Sequence, residues 1–112
     1  RLTLKDVDIG FAGRFKQNHD VHRAITEIEP GNEINLKQEN NKYELVDQHG
    51  RVIGRLAKSF NPPKGMVFHK AQVVAIIERQ KEDVGIDYQS MYKCEKWEVV
   101  LPELVYRVKS NT

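Results

Sequence analysis

Residues 31–60 read GNEINLKQENNKYELVDQHGRVIGRLAKSF, three short alternating runs separated by two polar turns. Residues 33–38 place Ile34 and Leu36 on one face. Residues 42–46 place Tyr43 and Leu45 together, and residues 51–56 carry Val52, Ile53 and Leu56. Alternation of this kind marks strands with one buried face. Glu39-Asn40-Asn41 forms the first turn. Asp47-Gln48-His49-Gly50 forms the second, where Gly50 supplies the positive φ that a tight hairpin needs. A three-strand meander therefore nucleates the fold.

Outward from the meander, the strongest strand is MVFHKAQVVAIIE, residues 66–78. Both of its phases are apolar after Ala71, so its second half is expected to be covered on two sides. Residues 79–90, RQKEDVGIDYQS, read as an exposed excursion. Residues 91–100 alternate again, with Tyr92 and Cys94 in one phase and Trp97 and Val99 in the other; Trp97 is expected to be buried. Pro102 interrupts, which makes residues 104–108 an edge strand or a packed tail. On the N-terminal side, Leu2, Leu4, Val7, Ile9 and Phe11 suggest a first strand with a phase change near Lys5-Asp6. Gly10 and Gly13 would mark a bulge or bend in it. Residues 23–28 read as a strand, although Ala24, Ile25 and Ile28 also fit a short helical stripe with Asp20 as its N-cap. Residues 56–60 suggest one helical turn, ended by Asn61-Pro62-Pro63. The sum is an all-β chain with minor α, a small OB- or SH3-like barrel of about six strands.

At 112 residues the chain is one domain able to bury a core without metal or disulfide. Hydrophobic residues make up 39% and charged residues 30%, a globular rather than a disordered balance. The net charge of +2 gives no global signal for nucleic acid, but its distribution does. Residues 27–50 set Lys37 and Lys42 against six acids. Residues 51–80 set Arg51, Arg55, Lys58, Lys64, Lys70 and Arg79 against Glu78 alone. The single Cys94 fits a reducing, cytoplasmic setting. No signal peptide is expected, and no apolar run reaches the ~20 residues that span a membrane. A start at Arg1 suggests a fragment of a longer protein.

No nucleotide-binding glycine loop, nucleophile elbow or paired-cysteine motif is present. His19 and His22 stand three apart, but a metal would require His49, His69 or Cys94 to join them by folding, and neither metal nor cofactor is expected. Cys94 reads as an inert thiol in mid-strand. The segment is therefore expected not to be an enzyme. The more informative set is cationic and aromatic: Arg14, Phe15 and Lys16, with Arg55, Lys58 and Lys64. Cations on phosphates and rings on bases are how single-stranded nucleic acid is held. The competing reading is that Phe60 and Phe68 are core and that the basic residues guard sheet edges.

Two stretches carry a resemblance. The run from Gly31 to Leu56, with its PG-x-E-I-x-L opening and G-x-V-I-G-R-L close, resembles the HIRAN domain. Upstream, IGFAGRF at residues 9–15 is similar to the HIRAN first strand, which ends in an Arg-aromatic pair. The tail WEVVLPELV at residues 97–105 looks like the C-terminus of some bacterial RecQ-type ATP-dependent DNA helicases. The resemblance implies an OB-like barrel that grips single-stranded DNA or a DNA end beside the helicase motor domains. Arg14 and Phe15 would hold backbone and base, and Arg55 and Lys58 would meet phosphate. HIRAN domains carry an Asn-Pro-Tyr-Asp-type segment where this chain has Asn40-Asn41-Lys42-Tyr43-Glu44. Tyr43 then falls in a strand rather than a pocket, which favours general strand binding over capture of a 3′ end. A protein-interaction module packed on the helicase core is the alternative, and exposed apolar surface would mark it.

Overall fold

The computed structural model describes residues 2–109. Five antiparallel strands form one sheet in the order β3-β2-β1-β4-β5. They are β1 Glu33–Glu39, β2 Lys42–Val46, β3 Val52–Arg55, β4 Met66–Gln80 and β5 Lys96–Val108, preceded by one helix, α1 Asp20–Thr26. The sheet curls into a half-barrel, an all-β fold of OB-like kind with little helix. No helix among the described residues is long and apolar enough to cross a membrane.

The meander forms as its alternation requires. Asn40 and Asn41 adopt φ of +51° and +64°, the two-residue type I′ geometry that matches the twist of β1 and β2. At the second turn Gly50 has φ +81°. Asp47 closes that turn by accepting the N–H groups of His49 and Arg51 on Oδ1, at 2.9 and 2.8 Å. Arg51 Nε donates to Asp47 Oδ2 at 2.8 Å, and Nη2 reaches Glu27 at 2.9 Å, tying the hairpin to the end of α1. Burial pushes the Asp47 carboxyl up, but the Arg51 and His49 N–H groups and the Arg51 guanidinium outweigh it and hold it below the usual carboxylate range.

β4 is the longest strand, and residues 74–77 are half-buried on both of its phases. It carries two bulges, between Phe68 and Lys70 and between Val73 and Ala75. Pro102, expected to interrupt, does not: β5 runs through it without a break, and residues 104–108 continue the same edge strand. Lys81 N–H donates to Glu95 O at one end of the ribbon, and Lys109 N–H donates to Gly65 O at the other, both at 2.8 Å. Both bulges lie on β4, so odd-numbered residues of β5 face β4 throughout and even-numbered ones face the open edge. Pro102 is even. Its missing N–H costs no ladder bond, and its ring is fully buried.

Four further expected elements differ. Residues 2–11 form no strand: a 3₁₀ turn at Leu4–Asp6 is closed by Thr3 and Asp6, and only Val7 bridges, to Leu56. The region at 23–28 is the helical alternative. His19 caps α1 by accepting Val21 N–H on Nδ1 at 3.0 Å, and Val21, Ala24 and Ile25 are buried at helical spacing. The helical turn expected at 56–60 reduces to one bond, Phe60 N–H to Ala57 O at 3.0 Å. The last strand starts at Lys96, not at residue 91, because Ile86–Met91 is 3₁₀ and Lys93 N–H turns away to Gly13 O.

Trp97 anchors the irregular N-terminal segment to the sheet. It is 3% exposed, donates Nε1–H to Ile9 O at 2.8 Å, and stacks on Tyr92 with centroids 4.7 Å apart. Its ring lies over Gly13, where a Cβ would come within 2.5 Å of it. Gly13 is thus glycine for close approach, not for a strand bulge. Trp97→Ala should lower the unfolding free energy by ~3–5 kcal/mol in urea titration. Gly13→Ala should destabilise as well, since the rigid indole backed by Tyr92 cannot yield cheaply. A parent-like urea midpoint for either variant would contradict this packing.

Candidate nucleic-acid interface

β3 ends at Arg55, and the Ala12–Arg14 turn ends at Arg14, so two guanidinium groups from distant parts of the chain line one cleft. Between them stands Asp8. Its main-chain N–H donates to Arg55 O at 2.8 Å, which fixes residue 8 beside the end of β3. Arg55 Nη2 and Nε donate to Asp8 Oδ2 at 2.8 and 3.2 Å, and Arg14 Nη2 donates to the same oxygen. The other oxygen accepts Gly10 N–H at 3.3 Å. Burial raises the Asp8 carboxyl, but the hydrogen bonds and charges of Arg14 and Arg55 prevail and hold it below the usual range. The Arg55 guanidinium carbon also sits 5.5 Å from the Phe11 ring centroid, a cation–π contact on its inner side.

The cleft encloses about 700 Å³. Its floor is Val7, Ile9 and Leu56, and its far wall is the Asn40-Asn41 turn with Lys42 and Tyr43. Tyr43 packs edge-on against Phe60, centroids 5.6 Å apart, and Lys58 and Met91 complete the rim. Four cations, Arg14, Lys42, Arg55 and Lys58, therefore meet one acid, Asp8. Lys42 and Lys58 pair with no acid among the described residues. Such a cleft offers charge for two or more phosphates and ring surface for a base.

Of the residues singled out by sequence, Arg14, Arg55 and Lys58 converge here. Phe15 does not. It turns to the other side of its segment and packs on Phe11 and His19, with centroids 5.1 and 4.4 Å away, lining a separate shallow depression. The backbone change from 3₁₀ at Arg14 to extended at Phe15 separates the pair. Lys16 and Lys64 are exposed and lie outside the cleft. Tyr43, expected in a strand rather than a pocket, is in both, because β2 runs along the cleft wall. Asp8 and Lys42 were missed. Lys42 sits in the acid-rich stretch 27–50, where averaged charge hides it.

Cys94 precedes β5 rather than lying within it. Its buried thiol donates to Phe15 O at 3.0 Å and lies 3.4 Å from His22 Nε2, so the two residues do meet in space. Burial pushes the thiol pKa up, opposite to the activation a nucleophilic cysteine needs. Among the described residues no group of three His, Cys, Asp or Glu side chains could hold a metal ion.

No protein family, curated protein or solved structure matches the chain, so the chemistry of the cleft itself carries its interpretation. The Asp8 knot is testable alone. A carboxyl held low in the fold stabilises the protein above its unfolded pKa of ~3.9, and that stabilisation is lost as pH falls through the lower folded value. Asp8→Asn leaves two part-buried guanidiniums facing each other and should cost ~2–3 kcal/mol at neutral pH, toward the low end for a broken buried pair because all three groups keep some solvent. The deficit relative to the parent should shrink as pH drops below ~4. A deficit independent of pH from 7 to 2 in chemical denaturation would contradict the role given to Asp8.

Proposed function

We propose that the cleft binds single-stranded DNA, or a DNA end, and that this segment is a non-catalytic accessory domain of a DNA helicase. The carrying observation is that Arg14, far upstream in sequence, joins the neighbouring Arg55 and Lys58 in one cleft with the Tyr43–Phe60 ring pair. The HIRAN likeness of residues 9–15 and 31–56 supports the same ligand. Phosphates sit on Arg14, Arg55, Lys58 and Lys42, and a base stacks against Tyr43 or Phe60. Phe15 has no part in it. Asp8 keeps the two arginines extended toward the ligand and reduces the net charge they present.

A second reading has its own observation. Ile86, Tyr88 and Met91 are 83%, 62% and 53% exposed on the Ile86–Met91 segment. Apolar side chains this open on one short segment suit a protein contact, such as the helicase motor domains of the same chain.

The two are separated by fluorescence anisotropy with a labelled single-stranded oligonucleotide at several salt concentrations. With about three phosphates contacted, log K should fall against log[salt] with a slope of roughly −2. Arg55→Ala and Lys58→Ala should weaken binding and flatten that slope. Phe60→Ala should cost ~1–3 kcal/mol with the slope kept, and Phe15→Ala should leave affinity near the parent's. No binding at low salt by a folded protein would overturn the DNA reading in favour of the protein contact.

A further inference from the structure

β5 is an edge strand, and its hydrogen-bonding parity is fixed at both ends by Lys81 N–H to Glu95 O and Lys109 N–H to Gly65 O. Val73, the partner of Pro102 in β4, directs both its N–H and its C=O away from β5, to Asn32 O and Gly31 N just before β1, as that parity demands. The main-chain groups of Leu104, Tyr106 and Val108 therefore point away from β4. No described residue bonds to them on that side. β5 packs against the Ala12–Arg14 turn, α1 and β3, and the β5 residues that share a small cavity with Ala12, Ile53 and Gly54 are Glu98, Val99 and Val100, upstream of 104–108. Around them Val108, Val67 and Met66 are 77%, 43% and 42% exposed.

We propose that this edge pairs with the same edge of a second copy, antiparallel about a two-fold axis at Val105. Symmetric pairing of one strand with itself requires residue i of one copy to face residue 210 − i of the other, and this register has three consequences. Leu104 faces Tyr106 of the second copy, and their outward N–H and C=O groups form the narrow hydrogen-bonded pairs, twice by symmetry. Glu103 faces Arg107, also twice, placing opposite charges directly across the new ladder. Pro102 faces Val108, so pairing stops where the strand runs out of outward N–H donors and the register cannot slide further up β5. A register centred one residue either way sets Val105 opposite a charged side chain and loses the Glu103–Arg107 pairs. Glu103 already accepts from Gln72 Nε2 at 3.3 Å within its own chain, and with about four acceptor sites on its two oxygens a carboxylate can add the Arg107 contact to those it makes there. Arg107 stands beside His69 on the same outer face. An interface of one strand edge is small, so the dimer is concentration-dependent.

Sedimentation equilibrium across a hundredfold range of protein concentration tests the proposal, with circular dichroism as the check of fold. The parent should move from monomer toward dimer. Arg107→Glu alone and Glu103→Arg alone should each stay monomeric, because like charges then face each other. Mixing these two variants should restore a dimer, since each reversed charge meets its complement, and the double variant should dimerise by itself. A parent that is monomeric at every concentration overturns the proposal. So does a dimer that both single variants keep, and so does a failure of the mixed variants to recover. Neither residue lines the cleft, so oligonucleotide binding by the single variants should match the parent's, and these outcomes are independent of the DNA reading.

Discussion

Arg14 and Arg55 share one oxygen of Asp8, and the geometry of the cleft depends on that sharing. Two guanidiniums brought together without a counter-ion repel, and at partial burial that repulsion is not screened as it is in water. The carboxylate between them converts a repulsive pair into a bridge from the N-terminal segment to the end of β3. The Asp8 N–H to Arg55 O bond and the Val7–Leu56 bridge run alongside it. One short stretch of main chain and one carboxylate thus fix both cations. The cost is charge: part of the attraction for an anion is already satisfied internally. Lys42 and Lys58, which lack such a partner among the described residues, supply the less committed charge.

The half-barrel is closed by side chains rather than by a sixth strand. Where a first strand would lie, the chain makes two 3₁₀ turns and a single bridge, and the gap is filled by Trp97, Tyr92 and Phe11. Trp97 holds this filling in place because its one polar atom finds Ile9 O while the indole covers Gly13. The same tight packing explains why Lys93 N–H bonds to Gly13 O and delays β5 to Lys96. The irregular N-terminal segment and the irregular stretch before β5 are therefore one feature, made by the contact between residues 9–14 and 92–97.

This contact is also why the sequence was readable in the middle and not at its flanks. Residues 33–55 declare themselves through local alternation and through turn residues, Asn40-Asn41 and Gly50, whose φ values are the ones their chemistry favours. Residues 2–11 alternate too, but Gly10 and Gly13 are there to admit Tyr92 and Trp97, and no local signal records a partner eighty residues away. At 20–26 the spacing of Val21, Ala24 and Ile25 was helical, and the β-rich surroundings misled. For the cleft, Arg14, Arg55 and Lys58 were visible as basic residues. That Arg14 and Phe15 would face opposite ways was not, because it depends on one change of backbone conformation between neighbours.

β4 and β5 show how a proline can occupy a thirteen-residue strand without breaking it. Both bulges fall on β4, so the extra residues are absorbed there and β5 keeps one parity from Glu95 to Lys109. Pro102 then needs only to be even-numbered to point its nitrogen outward. Had either bulge fallen on β5 between Pro102 and Lys109, the parity at residue 102 would have reversed, and a ladder bond to β4 would have been lost in the core. Bulge placement and the proline are thus a single constraint. It lets the ribbon bend around the core at Val73 while the opposite strand stays regular enough to present an ordered edge.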